Sequence, residues 1–175
     1  MYDCASIPMK SASEIFVRPA AGGDAPVILA LINELAEYEK LTHEVTATEE
    51  KLRETLFGER PFAEALMGCV DGEAVGFAVY FYSYSTFLAQ PGLYLEDLFV
   101  RPAFRGIGLG KALIAAVARV AVERGCGRYE WSVLDWNEPA IRFYEGLGAE
   151  MHPDWRRMRV MGDALQRMGA QNSKT

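Results

Sequence analysis

Seven residues around three glycines have the composition of a phosphate-binding loop: Arg105-Gly106-Ile107-Gly108-Leu109-Gly110-Lys111. An apolar run, Leu93–Val100, precedes this loop, and a strongly periodic helical pattern follows it. Because glycines at alternate positions leave the backbone bare, consecutive N–H groups can surround one anion. The positive end of the helix dipole acts at the same point. These features predict a cradle for the phosphates of a nucleotide-type cofactor, with a ligand-free turn as the alternative.

Two better-known phosphate loops do not match this run. The dinucleotide fingerprint G-x-G-x-x-G requires glycine at the position of Lys111. The Walker pattern requires glycine at Arg105 and serine or threonine at Ala112. Neither pattern therefore explains the loop.

Two carboxylates, Glu96 and Asp97, interrupt the apolar run before the loop. A carboxyl group inside an apolar strand loses solvation, which favours its protonated form, so Glu96 could exchange a proton with a substrate near neutral pH. The alternative is a structural carboxylate paired with an arginine. Because successive strand residues face opposite sides, Asp97 is not expected to serve the same site directly.

Aromatic and sulfur-containing side chains offer weaker candidates. A tyrosine at helical spacing, such as Tyr144, is more often a core residue than a proton donor. Trp131, Trp136 and the aromatic run 80–84 are interpreted as core or as a dimer interface. Cys126 has no histidine beside it, so a covalent thioester route is disfavoured and a small buried residue is the preferred interpretation.

Composition restricts the class of protein. At 175 residues, half of them apolar, the chain suits one domain with a substantial core. A net charge of −6 disfavours nucleic acid and mildly favours a cationic small molecule. The apolar runs are too short to span a bilayer, and no secretory segment is expected. Three widely spaced cysteines favour reduced thiols in the cytoplasm. His43 and His152 stand alone, so no metal is expected.

The elements that must position these residues alternate between strands and helices. Strands are predicted at Glu14–Arg18, Ala65–Val70, Val75–Tyr84, Leu93–Val100, Tyr129–Leu134 and Arg156–Met161, with a hairpin turn at Asp71-Gly72. Helices are predicted at Pro26–Tyr38, from a Thr46–Glu49 capping box to Gly58, from Leu109 to Gly125, and from an Asn137 cap to Gly148. This order predicts a mixed α/β sheet with helices on both faces. We expect a loose leader at 1–13, one domain at 14–168 and a frayed tail at 169–175.

The loop matches the R/Q-x-x-G-x-G/A signature, and the chain resembles the Gcn5-related N-acetyltransferases (GNAT) from Glu14 to about Met168. Within that superfamily it is similar to the diamine acetyltransferases, which act on spermidine and spermine. Three segments carry this likeness: Leu93-Tyr94-Leu95-Glu96-Asp97, Asn137-Glu138-Pro139 and Phe143-Tyr144. Two others resemble the thialysine branch: Tyr38-Glu39-Lys40-Leu41 and Leu134-Asp135-Trp136-Asn137.

The resemblance implies the GNAT fold, with a central, mostly antiparallel mixed sheet. It also implies acetyl-CoA as donor, an amine as acceptor and a homodimer. Glu96 would be the base that deprotonates the amine, and Tyr144 the acid that protonates the CoA thiolate. Substrate contacts are implied at or near Tyr38, Glu39, Glu96 and Asp135. Cofactor contacts would come from Leu98, Phe99, Val100, Arg105, Gly106, Ile107, Gly108, Leu109, Gly110, Lys111, Asn137, Glu138, Pro139 and Ala140.

Three segments depart from the polyamine enzymes. Lys40 and His43 make the segment after Glu39 less acidic, Glu130 stands where those enzymes have histidine, and only Asp154 represents an acidic group near Trp155. We therefore predict a cytoplasmic N-acetyltransferase acting on a small primary amine, such as thialysine, a lysine-like amine or a diamine. A spermidine/spermine acetyltransferase, a non-catalytic acyl-CoA-binding sensor and an enzyme acting on protein amines are the alternatives.

Overall fold

The computed structural model describes residues 13–170, which fall into two compact units, one ending at Ser132 and one beginning at Val133. Only residue 13 of the expected leader and residues 169 and 170 of the expected tail lie within the described range. The remainder of both segments lies outside it. The single domain over 14–168 stays a prediction.

The first unit contains all five strands found in the described range. In chain order its helices and strands are β1 (Ile15–Pro19), α1 (Ala25–Glu39), α2 (Glu49–Phe57), β2 (Glu64–Val70), β3 (Glu73–Ser85), β4 (Gln90–Val100), α3 (Leu109–Glu123) and β5 (Arg128–Trp131). Short 3-10 turns lie at Gly22–Asp24, Thr42–Glu44 and Pro102–Phe104. The second unit contains α4 (Glu138–Glu145) and α5 (Gly162–Ala170).

The sheet has the strand order β1-β2-β3-β4-β5 and is mixed. Neighbouring strands from β1 to β4 are antiparallel. Strands β4 and β5 are parallel, and they pair only between Gly92–Leu95 and Arg128–Trp131. A register shift interrupts the β3–β4 ladder: Val79 lies opposite Asp97, and Tyr80 lies opposite Leu95. Glu96 is thus an extra residue in β4, which defines a β-bulge.

Each face of the sheet carries its own hydrophobic core. Leu109, Leu113 and Val117 of α3 pack on one face, whereas Ile28 and Leu31 of α1 pack on the other. Strand β2 illustrates the two-residue period, because Leu66 and Val70 face α3 while Ala65, Met67 and Cys69 face α1. The predicted mixed sheet with helices on both sides is confirmed.

The predicted hairpin turn at Asp71-Gly72 is confirmed. Both residues have positive φ values, 51° and 86°, which suit the tight turn between antiparallel strands.

Several predicted boundaries were wrong by two or three residues: β4 begins at Gln90 rather than Leu93, and α4 ends at Glu145 rather than Gly148. Helix α2 begins at Glu49 because Thr48, not Thr46, caps it: the Thr48 hydroxyl accepts a hydrogen bond from the Lys51 backbone N–H at 3.3 Å. Strand β5 ends at Trp131 rather than Leu134, because its ladder with β4 ends at Leu95, where the bulge begins.

The predicted last strand, Arg156–Met161, was also wrong. This segment has no regular secondary structure, and all of its residues are exposed. Three of its six residues are arginines, so it has no continuous apolar face that a sheet could bury.

Candidate active site

The glycine loop joins the end of β4 to α3 and leaves its backbone open. Gly106 and Gly108 have φ values of 80° and 97°, a region that favours glycine, and Gly108 is the N-cap of α3. A Cβ atom built on Gly106, Gly108 or Gly110 would meet no atom of the described chain within 4 Å. The first N–H groups of a helix have no partner inside it. The loop therefore offers bare backbone donors beside a helix N-terminus, which suits the phosphates of CoA.

The side chains of the loop lie in different surroundings. Leu109 is buried in the core under α3, so only its backbone can face a ligand, whereas Ile107 and Lys111 are exposed. The Arg105 guanidinium packs over the Tyr38 ring at 4.9 Å and over the Phe99 ring at 5.5 Å. Arg105 Nε donates to the Val100 carbonyl at 2.8 Å. Arg105 therefore ties the loop to the end of β4 and to α1.

The second half of β4 has an open edge. Beyond Leu95, no strand of the described residues pairs with the side of β4 that faces away from β3. The Arg101 N–H donates to Val75 O of β3 at 2.9 Å, and backbone groups alternate in direction along a strand. The N–H groups of Leu98 and Val100 therefore point towards the open edge. These two N–H groups can serve an amide chain or a carbonyl oxygen, as expected for this segment.

A cavity of about 390 Å³ lies between α1, the segment after it and β4. Its wall is largely apolar, and Glu96 and Asp97 both line it. The expectation that strand alternation separates these two carboxylates was wrong, because the bulge at Glu96 interrupts the alternation. The complete lining is Ile32, Leu35, Ala36, Glu39, Leu41, Glu44, Val45, Thr46, Ala47, Glu96 and Asp97.

The electrostatics of this cavity centre on Asp97 rather than Glu96. Burial raises the pKa of Asp97 to about 6, with further contributions from the negative charges of Glu96 and Glu39. Burial also raises the pKa of Glu39. The Glu96 side chain itself is exposed beside Asp97.

Asp97 is the residue that sequence reasoning missed. The register of β3 against β4 places Asp97 on the wall of the cavity. This register cannot be read from the sequence of one strand. Tyr38, which the resemblance implied as a substrate contact, lies one residue before Glu39 and packs against Arg105.

The second unit carries the remaining predicted residues. The Asn137 side chain caps α4 by accepting a hydrogen bond from the Ala140 N–H at 3.4 Å, as predicted, with Pro139 in the first turn. Glu138 pairs with Arg142 at 3.3 Å across one helical turn. The Tyr144 ring lies 5.3 Å from that of Phe143 and is half-buried. Asp135 is exposed in the turn before the helix.

The alternative sites considered from sequence gain no support. Cys126 is half-buried, and His43 lies 3.5 Å from Glu44 on the exposed segment after α1. Within residues 13–170, no group of three His, Cys, Asp or Glu side chains is arranged to hold a metal ion. In the same range, no helix is long and apolar enough to cross a membrane.

Comparison with known proteins identifies the family. The model of the acetyltransferase (GNAT) family matches residues 29–149. A thialysine N-epsilon-acetyltransferase of Bos taurus is 41% identical over 165 residues, which cover 88% of this chain and 96% of the relative. An L-ornithine N5-acetyltransferase, NATA1 of Arabidopsis thaliana, is 36% identical over 195 residues and covers 86% of each chain.

A likeness in structure supports the same fold. An integron cassette protein from the mobile metagenome of V. cholerae superposes with a TM-score of 0.74 at 23% identity, covering 90% of this chain and 98% of that one. The chain belongs to the acetyltransferase (GNAT) family and is an N-acetyltransferase.

Proposed function

We propose that this protein transfers the acetyl group of acetyl-CoA directly to a small primary amine, with thialysine, a lysine-like amino acid or a diamine as the acceptor. The observation that carries the proposal is the cavity in the first unit: carboxylates of β4, of α1 and of the turn after α1 line a largely apolar pocket beside an open strand edge. An alkyl chain that ends in an ammonium group matches such a pocket in both polarity and charge.

The donor would be held by backbone rather than by side chains. The N–H groups from Gly106 to Lys111 would bind the pyrophosphate. The space that Cβ atoms would fill at Gly106, Gly108 and Gly110 is open, so a phosphate can approach the backbone there. The Leu98 and Val100 N–H groups would bind the pantetheine amides and the thioester carbonyl. The start of α4, from Asn137 to Ala140, would add further contacts, as the family resemblance implies. Acetyl-CoA supplies the activated acetyl group.

The acceptor must reach the thioester as a neutral amine, although a lysine-like amine is mostly protonated at pH 7. The carboxylates of the cavity would bind the ammonium form and take up its proton. Glu96 lies at the bulge and Glu39 lies at the end of α1. Asp135 is a further proposed substrate contact, as the family resemblance implies. Tyr144 would donate a proton to the departing thiolate.

The proposal includes a cytoplasmic homodimer that binds neither nucleic acid nor membranes. A net charge of −6 supports the exclusion of nucleic acid, since a binding surface for phosphate backbones is normally basic. Exposed aromatic side chains on the β3–β4 hairpin, Tyr84 and Phe87, support a surface between subunits. Light scattering coupled to gel filtration would measure the subunit number.

An acetyl-CoA consumption screen tests the function. The purified protein is offered thialysine, lysine, ornithine, putrescine, spermidine and a peptide panel, and acetylated product is detected by mass spectrometry. We expect turnover with a small diamine or diamino acid, well above that with peptides. Consumption that requires spermidine would favour the polyamine alternative. CoA binding without acetylation of any amine would overturn the proposal in favour of a non-catalytic acyl-CoA-binding protein.

A further inference from the structure

The bulge in β4 brings a second carboxylate to the acceptor cavity. Val79 points to the α1 side of the sheet, where it packs against the core, and Asp97 lies directly opposite it across the β3–β4 ladder. Residues directly opposite each other in an antiparallel pair share one face. Asp97 therefore lies on the wall of the cavity, half-buried, whereas the extra residue Glu96 is exposed beside it.

Asp97 and Glu39 differ from the other partly buried carboxylates of the first unit, which pair with arginines. Asp24 pairs with Arg18 at 2.7 Å, Glu34 pairs with Arg101 at 2.9 Å, and Glu64 pairs with Arg124. Within residues 13–170, Asp97 has neither an ion pair nor a hydrogen-bond partner for its side chain. An unpaired carboxylate at this depth has no role in stabilising the fold.

The groups that face Asp97 make its surroundings strongly negative. The charges of Glu39 on α1 and of Glu96 on the same strand act on Asp97, and Glu44 of the turn after α1 lines the same cavity. No lysine, arginine or histidine is among the described residues that line the cavity. The ammonium group of a cationic acceptor would therefore supply the positive charge that compensates these carboxylates.

We infer that Asp97 is the general base of the acetyl transfer, and that Glu96 binds the incoming ammonium group at the mouth of the cavity. This inference rests on the proposed function and specifies its proton acceptor. The apolar wall and the neighbouring carboxylates of Glu39 and Glu96 keep Asp97 ready to take up one proton, while the exposed position of Glu96 suits a contact that forms first.

The proton balance of the step is complete. The ammonium group R–NH₃⁺ gives one proton to the Asp97 carboxylate and becomes the nucleophile R–NH₂. Its nitrogen forms a C–N bond to the acetyl carbon as the C–S bond of the thioester breaks. Tyr144 gives its hydroxyl proton to the departing CoA thiolate. The second proton lost by nitrogen restores the Tyr144 hydroxyl. Asp97 then releases its proton to solvent. Burial raises the pKa of Asp97 to about 6, so it is a ready acceptor near neutral pH and still returns its proton.

Two isosteric variants separate the roles of the two carboxylates. For Asp97→Asn, kcat should fall by roughly 10²–10⁴-fold, and the acidic limb of the kcat/KM profile should be lost. For Glu96→Gln, KM for the amine should rise, while the acidic limb remains and moves to lower pH because a negative neighbour has been removed. Glu123→Gln, an exposed carboxylate at the end of α3, is the matched control and should leave the profile unchanged.

A series of acceptor amines of decreasing pKa gives an independent readout. An amine that is already neutral needs no base, so Asp97→Asn should lose progressively less activity along the series. Glu96→Gln should leave kcat near the wild-type value along the whole series, while its rise in KM becomes smaller, because a neutral amine forms no ion pair with Glu96. CoA-dependent thermal stabilisation of each variant reports that the donor site and the fold are intact.

The outcomes distinguish the inference from the proposed function. A wild-type protein that acetylates no amine contradicts the proposed function itself. A wild-type protein that acetylates an amine, together with an Asp97→Asn variant of unchanged pH profile, overturns only the role of Asp97. Loss of the acidic limb in Glu96→Gln, with its retention in Asp97→Asn, would return the role of base to Glu96.

Discussion

Asp97 places a cost on the folded state that its proposed role explains. Its pKa is about 6 in the folded chain and 3.8 ordinarily, so between these values the folded state binds more protons than the unfolded state. Stability is therefore free of this penalty below about pH 3.8 and falls as pH rises towards 6. Above pH 6 the penalty is complete. Removing the unpaired charge of Asp97 should therefore raise the free energy of unfolding, although the proposed function needs that charge.

Asp97→Asn should accordingly raise the melting temperature at pH 8 and leave it nearly unchanged at pH 4. Differential scanning calorimetry at the two pH values measures the effect. Asp24→Asn is the control of opposite sign, because the Arg18 hydrogen bond lowers the pKa of Asp24 and so stabilises the folded state above its ordinary pKa. That variant should be destabilised at pH 8. A lower melting temperature for Asp97→Asn at pH 8 would mean that the charge is compensated.

Tyr144 can be tested by removing one oxygen atom. If its hydroxyl protonates the leaving thiolate, Tyr144→Phe should reduce turnover by roughly 10²–10⁴-fold and preserve CoA binding. The loss should be smaller with an acyl donor whose thiol is more acidic, since that leaving group needs less protonation. Phe143→Leu, on the same helix, is the packing control. Equal losses across donors, or a change in stability of about 1 kcal/mol with unchanged turnover, would leave Tyr144 as a packing residue.

Single residues also show where sequence reasoning stops. Glu96 is recognisable because a charge in an apolar run is unusual, and the loop glycines are recognisable by their spacing. Asp97 is adjacent to Glu96 and was excluded by strand alternation, which holds only for an unbroken ladder. Tyr144 and Asp135 came from the family resemblance, since a tyrosine on a helix and an acidic residue in a turn are common for other reasons.

At the scale of elements, the glycine loop allows a test that separates ligand binding from backbone strain. Gly108 is unsuitable for this test, because its φ of 97° would strain the backbone of any residue with a side chain. Gly110 lies in the first turn of α3, where a Cβ would meet no described atom within 4 Å. Gly110→Ala should stabilise the helix by up to about 1 kcal/mol and serves as the control. Gly110→Val should keep the fold and weaken CoA binding by roughly tenfold or more, equivalent to about 1.4 kcal/mol.

Isothermal titration with CoA checks this pair of variants. Equal affinity of Gly110→Val and the wild type would place the phosphates away from the first turn of α3. A loss of folding in both variants would instead show that Gly110 is needed for packing.

Elements with a clear periodicity are predictable from sequence to within a few residues. Helices α1 and α3 and strands β2 to β4 bury continuous faces, and this requirement appears directly in the pattern of apolar residues. The end of β5 and the bulge in β4 depend on how two strands pair, and neither strand alone determines that. The segment 156–161 combines three arginines with apolar residues, so its pattern resembles an alternating strand without providing a face to bury.

At the scale of the whole molecule, the negative net charge of the chain repels the anionic donor and attracts the cationic acceptor. The chain carries a net charge of −6, and CoA is itself an anion, so the overall field does not attract the donor. Under the proposed function, binding would come from the local backbone donors of the loop and the open edge of β4. The same overall charge favours the approach of a cationic acceptor, so the two substrates are recognised by different physical means.

CoA should therefore stabilise the folded protein through local contacts alone. At a concentration of 100 times Kd, a ligand that binds only the native state adds about 2.7 kcal/mol. For a chain of this size that corresponds to a rise in melting temperature of roughly 5–10 °C. Pantetheine, which lacks the pyrophosphate, should give a much smaller rise, because it reaches the strand edge but not the loop. Gly110→Val should reduce the shift with CoA and leave the small shift with pantetheine unchanged. Thermal melts followed by circular dichroism measure all three, and an unchanged melting temperature at saturating CoA would exclude the loop as the donor site.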